Sequence, residues 1–380
     1  MKIAIFTITD GANYGNRLQN YALDKAMTKI GCDVETVRCI TSRDYGFIKE
    51  KYIFLKNLIK IIVKRNTNFC YLKRKKIFER FNNKNIKFSK FVAKKNIISH
   101  QINDDYDYFV FGSDQIWNTR FEIIKENIDI HFGTYIENNK KIAYAASFGS
   151  DNIPDEMLNF VSERVKDFYK VSVREKTGIE IIHNHLGYSA DLVIDPTMLL
   201  TSREWRLISQ KPDYVSGEKF MVTYILGDIG QKAIEVVNCI AEKYGLKVIN
   251  LGIEFLNDNE IKNKDYYYTD PNGFIWLIDH AECVVTDSFH ASVFSVLFHK
   301  PLKVFERVAT EKNNNMVGRI DNLLEMFKIT DCKNNYSESL DLYDDERIAI
   351  IEDILSVERK KSMDFLLESM KVKTINKKNI

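Results

Sequence analysis

The stretch Val284-Val285-Thr286-Asp287-Ser288-Phe289-His290 carries an apolar run into a polar turn, and then a histidine at the start of a helical pattern. The first N–H groups of a helix lack partners and attract anions. An imidazole beside them can move a proton near neutral pH. Two readings are open: an anion-holding acid–base site, or a satisfied core histidine. Polar clusters also follow other apolar runs: Asn13, Gly15, Asn16, Arg17 and Gln19; then Ser113, Asp114 and Gln115; then Arg174. An arginine at a strand end suits carboxylate or phosphate, which its guanidinium can grip with two hydrogen bonds. Each cluster has a plainer reading. Arg174 could pair with Glu175, Asp114 could hold a turn, and Asn16 and Gln19 could cap or decorate a helix. Trp117 suits either a core or a sugar platform. No Walker loop, G-x-G-x-x-G, H-E-x-x-H or G-x-S-x-G motif occurs. His183 and His185 are too isolated to argue for a metal.

The elements that must position these residues alternate. Ile3 to Ile8 reads as a strand, Thr9 to Asn16 as a loop, and Leu18 to Ile30 as a helix closed by Gly31. Val34 to Ile40, Tyr108 to Phe111, Lys141 to Ser147, Val171 to Val173 and Leu192 to Ile194 read as further strands. The turn formers of Lys211 to Glu218 mark a linker. A second alternating set follows: strand Phe220 to Ile225, helix Gln231 to Tyr244, strand Leu246 to Leu251, a helix near Gly273 to His280, strand Cys283 to Thr286, a helix from Phe289, and strand Leu302 to Phe305. A long amphipathic helix covers Asp344 to Met370. This predicts an α/β chain with two doubly wound, Rossmann-like domains facing a cleft. The first covers 1–210, with a basic helical insertion at about 45–98. The second covers 218–340 and carries His290, and a helix and tail cover 341–380.

Charge is uneven. Lys49 to Lys95 holds sixteen basic residues against two acids, so the rest of the chain carries 39 basic and 51 acidic residues, a net of −12. Apolar residues interleave with this charge, as in a basic amphipathic helix at an anionic membrane surface. A nucleic-acid reading of residues 49–95, with Tyr52, Phe54, Phe69, Tyr71 and Phe78 among the charges, is opposed by the acidity of the rest. The six cysteines are scattered, without zinc-finger or C-x-x-C spacing, as in a cytoplasmic chain with reduced thiols. No signal-peptide pattern or membrane-length apolar run is present. The expected location is cytoplasmic, or peripheral at the inner face of the cell membrane.

Seven motifs in order resemble the polysaccharide pyruvyl transferases. They are Asn13-Tyr14-Gly15-Asn16-Arg17-Leu18-Gln19, Phe111-Gly112-Ser113-Asp114-Gln115-Ile116-Trp117-Asn118, Tyr144-Ala145-Ala146-Ser147-Phe148-Gly149, Val173-Arg174-Glu175-Lys176-Thr177-Gly178, Asp195-Pro196-Thr197, Thr286-Asp287-Ser288-Phe289-His290 and Lys300-Pro301. The resemblance implies a GT-B-like fold, phosphoenolpyruvate as co-substrate with no cofactor or metal, and a sugar acceptor, lipid-linked or soluble. The product would be a cyclic pyruvate ketal, made for a surface polysaccharide such as a capsule or exopolysaccharide. It implies Arg174 and His290 at the donor site; on the chemistry of the residues themselves, His290 and Asp114 are the catalytic candidates, and Ser288, Phe289 and Arg319 join Arg174 at the donor. Asn16, Arg17, Gln19, Gln115 and Trp117 would face the acceptor. Ser288 stands where some members carry a second arginine, and Arg307 or Arg319 is the candidate replacement. A GT-B glycosyltransferase using a nucleotide sugar is the alternative with the same architecture.

Overall fold

A computed structural model describes residues 1–9, 11–40, 69–94, 102–252, 261–308 and 318–371. Two parallel sheets organise it. The first contains β1 (Lys2–Phe6), β2 (Asp33–Ile40), β3 (Phe88–Lys94), β4 (Tyr108–Phe111), β5 (Lys141–Ala146), β6 (Lys170–Val173) and β7 (Asp191–Leu192), in the order β3-β2-β1-β4-β5-β6-β7. The second contains β8 (Phe220–Tyr224), β9 (Lys247–Asn250), β10 (Cys283–Thr286) and β11 (Leu302–Val304), in the order β11-β10-β8-β9. Helices cover both faces of such sheets, so the central strands are largely apolar. All six residues of β5 are buried, and so are all four of β10.

Each sheet reverses its strand order once, between β1 and β4 and between β8 and β10. Ligands of open α/β sheets bind beyond the carboxyl ends of the strands at such reversals. Register aligns those ends: Phe6 pairs with Phe111, and Thr286 with Tyr224. The loops that follow open towards one another.

The longer helices are α1 (Tyr14–Lys29), α2 (Phe69–Asn85), α3 (Asp155–Lys166), α4 (Gln231–Tyr244), α5 (Pro271–His280), α6 (Phe289–Leu297), α7 (Gly318–Met326) and α8 (Asp345–Ser369). α1 begins at Tyr14 rather than Leu18, because Asn13 caps it by accepting from the Asn16 amide at 3.4 Å. Of the expected helical insertion, residues 69–85 are helical. Residues 88–94, however, form edge strand β3, whose Val92 pairs with Arg38 of β2. Exposed Lys90 suits a sheet edge. The remainder of the insertion, 45–68 and 95–98, lies outside the described residues.

The two halves share one core. Tyr14 of α1 stacks on Phe274 of α5 at 4.4 Å, and Trp205 meets Phe294 of α6 edge-on at 4.9 Å. α8 ties both halves together. Near its start Arg347 pairs with Asp331 and Glu352 with His299, both from the second half. Further along, Arg359 donates to the Met198 carbonyl at 2.7 Å, and the Ser362 hydroxyl accepts from the Ile194 amide at 3.0 Å. All six cysteines are free thiols. No described helix is long and apolar enough to cross a membrane.

Candidate active site

A cavity of about 350 Å³ lies where the two strand reversals face each other. That is within the size range of small-ligand sites. Asn13, Asn16, Asp114 and Gln115 reach it from the first half, and Ser288, Phe289, His290 and Arg319 from the second.

His290 stands in the first turn of α6, and its side chain is 10% exposed. Its ring is wedged between the halves. A Cβ added at Gly15 would lie 2.1 Å from His290 Nδ1, so this close approach requires glycine. On the other side, Nε2 lies 3.7 Å from Asp195 Oδ2. Ser288 precedes α6 in extended conformation and makes no side-chain cap. Its own amide donates to the Thr286 hydroxyl at 2.9 Å. The amides that open α6 therefore remain available to an anion.

Arg319 projects from the start of α7 into the cavity wall. Among the described residues it forms no ion pair. Its contacts are Phe289, whose ring centre is 6.0 Å from the guanidinium, and the Gln115 amide. With its oxygen turned to Arg319, that amide accepts at 3.1 and 3.3 Å. Burial, and then the like charge of Arg174, push Arg319 down to about 10, although Glu175 and Asp114 oppose the shift. A bound anion would stabilise this under-compensated cation. Arg307 differs from it. Its Nε lies 2.7 Å from Asp287 Oδ2, and the same carboxylate accepts from the Leu226 and Gly227 amides at 2.7 and 2.8 Å. Of the two candidate replacements for the missing arginine, Arg319 has its charge free and Arg307 is already paired.

Arg174 sits behind the cavity wall, 3% exposed. It donates to Asp195 at 2.6 Å and to the Ser113 hydroxyl at 3.3 Å, and it lies 3.5 Å from Asp114 and 3.6 Å from Glu175. Direct contact with a donor would require one of these carboxylates to give way. Asp114 lines the cavity and has a left-handed φ of 57°. Aspartate tolerates this region better than most residues.

Three residues expected at the acceptor lie off the cavity. Trp117 is fully buried and stacks on Phe132 at 5.5 Å, so it belongs to the core. Phe121, four residues later, is the aromatic residue of that segment that lines the cavity. Gln19 is buried, donating to the Thr7 hydroxyl at 2.8 Å and accepting from the Ser113 amide at 3.1 Å. Arg17 is buried and donates to the Gly11 carbonyl at 3.2 Å. Gln19 lies on the side of α1 that faces the strand ends, and Arg17, two residues earlier, on the other side. Asp195 carries no expected role in the sequence reading, yet it is central here. Its one local signal is its place before Pro196, where its side chain accepts from the Thr197 amide and caps a short turn. Its other partners come from distant parts of the chain.

A family model described as polysaccharide pyruvyl transferase matches residues 13–306. No curated protein sequence matches the chain. Among solved structures, UDP-GlcNAc 2-epimerase from Methanocaldococcus jannaschii is similar over 98% of this chain and 100% of its own, with a TM-score of 0.52 at 14% identity. CalG4, the calicheamicin glycosyltransferase, aligns over 98% and 99%, with a TM-score of 0.41 at 11% identity. The likeness to the epimerase concerns the fold alone, the GT-B-like arrangement of two Rossmann-like units.

Proposed function

The chain belongs to the polysaccharide pyruvyl transferase family, and we propose that it transfers the pyruvyl group of phosphoenolpyruvate to two hydroxyls of one sugar as a cyclic ketal. The observation that carries this reading is the conjunction of Arg319, the open start of α6 and His290 on one cavity. Phosphoenolpyruvate has two anionic groups and an enol carbon that needs a proton. Arg319 and the α6 amides suit its phosphate or carboxylate. Protonated His290 is the proton donor to C3. As C3 gains the proton, C2 becomes electron-poor and one sugar hydroxyl adds there. The C2–O bond to phosphate breaks, and the second hydroxyl closes the ring. One hydroxyl proton replaces the one spent at C3, and the other leaves with phosphate. Asp114 orients or deprotonates an acceptor hydroxyl. Arg174 keeps Asp114 and Asp195 in place from behind.

The test is incubation with phosphoenolpyruvate and a panel of oligosaccharides and nucleotide sugars, following phosphate release and the acceptor's mass. Gain of one pyruvyl group with equimolar phosphate is expected. His290→Ala should abolish turnover and leave phosphoenolpyruvate binding within a few-fold. Transfer from a nucleotide sugar without pyruvyl gain would replace this reading with glycosyl transfer.

We further propose that the acceptor is met at an anionic membrane. Phe69 and Leu72 of α2 are exposed beside exposed Lys73, Lys76 and Arg80, a combination that suits an interfacial helix. Flotation with anionic vesicles should lift the wild type. Equal flotation after Lys73, Lys76 and Arg80 are neutralised would refute this role.

A further inference from the structure

We propose that Asp195 is the positioning residue of the proton donor: it holds the His290 imidazole across the junction between the halves. The inference rests on His290 being the proton donor. Asp195 follows β7 in the first half, whereas His290 opens α6 in the second. Every oxygen of the carboxylate is engaged. Oδ1 accepts from the Thr197 amide at 3.0 Å and its hydroxyl at 2.6 Å. Oδ2 accepts from Arg174 at 2.6 Å and from the Ser113 hydroxyl at 3.1 Å, and it is 3.7 Å from His290 Nε2. Asp195 is fully buried, and Nε2 of His290 is itself buried with no hydrogen-bond partner among the described residues. A buried ring nitrogen next to a carboxylate points to one function for that carboxylate. It receives the N–H and fixes the orientation of the ring. Shortening this gap by about 1 Å would make a charge-assisted hydrogen bond. Such a movement between the halves would complete or undo the pair, so the proton donor is competent only when the halves are correctly seated.

The surrounding charges agree with this. Asp195 faces the ring and is paired in turn with Arg174, which lies near Asp114 and Glu175, while Asp114, Asp287, Arg307 and Arg319 line the same cavity as His290. Burial would raise the Asp195 carboxyl, but His290, Arg174 and Thr197 outweigh it and hold it well below the usual carboxylate range. Arg174, Ser113 and Thr197 thus keep an ionised acceptor ready for the imidazole.

The test follows the His290 ring signals by NMR against pH in histidine-labelled full-length protein without ligand, with His290→Gln for assignment. Asp195→Asn should move the His290 titration to lower pH by about one unit or more. It should also lower kcat by roughly 10²-fold, with a smaller change in KM for phosphoenolpyruvate. If Asp195→Asn does not fold, Thr197→Val should move the titration in the same direction by less. An unchanged titration in a folded variant, with only the melting temperature altered, would overturn the proposal. Because the titration is read without ligand, it stands apart from the donor's identity.

Discussion

At the residue scale, Gly15 links the site most directly to the backbone. Adding a methyl group there places a carbon 2.1 Å from His290 Nδ1, which must then move. Within a helix, alanine is otherwise better than glycine by about 1 kcal/mol. Overpacking a buried site costs about 1–3 kcal/mol and outweighs that gain, so Gly15→Ala should lower the melting temperature and cut turnover at least tenfold, as activity and calorimetry on one preparation will show. Lys141 supplies a pH prediction. Its side chain is buried at the start of β5, and burial, partly offset by Asp167, pushes its ammonium down to about 8. The unfolded chain, with an ordinary lysine near 10.4, binds more protons between those values, so this group's contribution to stability rises with pH across that window. The stability deficit of wild type relative to Lys141→Met should be largest below pH 8 and shrink towards pH 10. A constant difference would contradict it. That His290, Asp114, Gln115 and Asn16 would gather at one cavity was legible because turn chemistry and strand ends show locally. The burial of Arg174 was not, since Asp195, its strongest partner, lies 21 residues away and nothing local marks that pairing.

At the element scale, periodicity located most strands and helices, and the differences have local physical causes. The Asn13 cap moves the start of α1 upstream to Tyr14, and this brings Arg17 into the helix as a buried residue. The run Phe88–Lys94 carries enough apolar and aromatic residues to pair with β2, and neighbouring charge disguised it as part of a helical insertion. Trp117 and Phe121 show the same limit, because sequence cannot say which aromatic of one segment turns inward. Trp117 stacks on Phe132 and lies against Phe148 and Phe168. Trp117→Ala should therefore cost about 3–5 kcal/mol of stability, measured by denaturant unfolding. An unchanged stability with only a raised acceptor KM would mark it as a sugar platform after all.

At the scale of the molecule, the alternation of strands and helices foretold two doubly wound units and a cleft between them. It did not foretell how closely they are joined. Aromatic packing around Tyr14 and the return of α8 onto the first half make one shared core, built from contacts between segments far apart in sequence. The cavity exists because two sheet reversals face each other, and neither half holds a complete site. The first half supplies Asp195, Asp114 and Gly15, and the second supplies His290, Arg319 and the α6 amides. The most direct measurement is the melting temperature with and without excess phosphoenolpyruvate, for wild type and Arg319→Ala. At about a hundred times its dissociation constant, a ligand adds roughly 2.7 kcal/mol. The wild type should show the corresponding rise and Arg319→Ala should lose most of it. No rise in the wild type, or a full rise in Arg319→Ala, would contradict the assignment of this cavity to the donor.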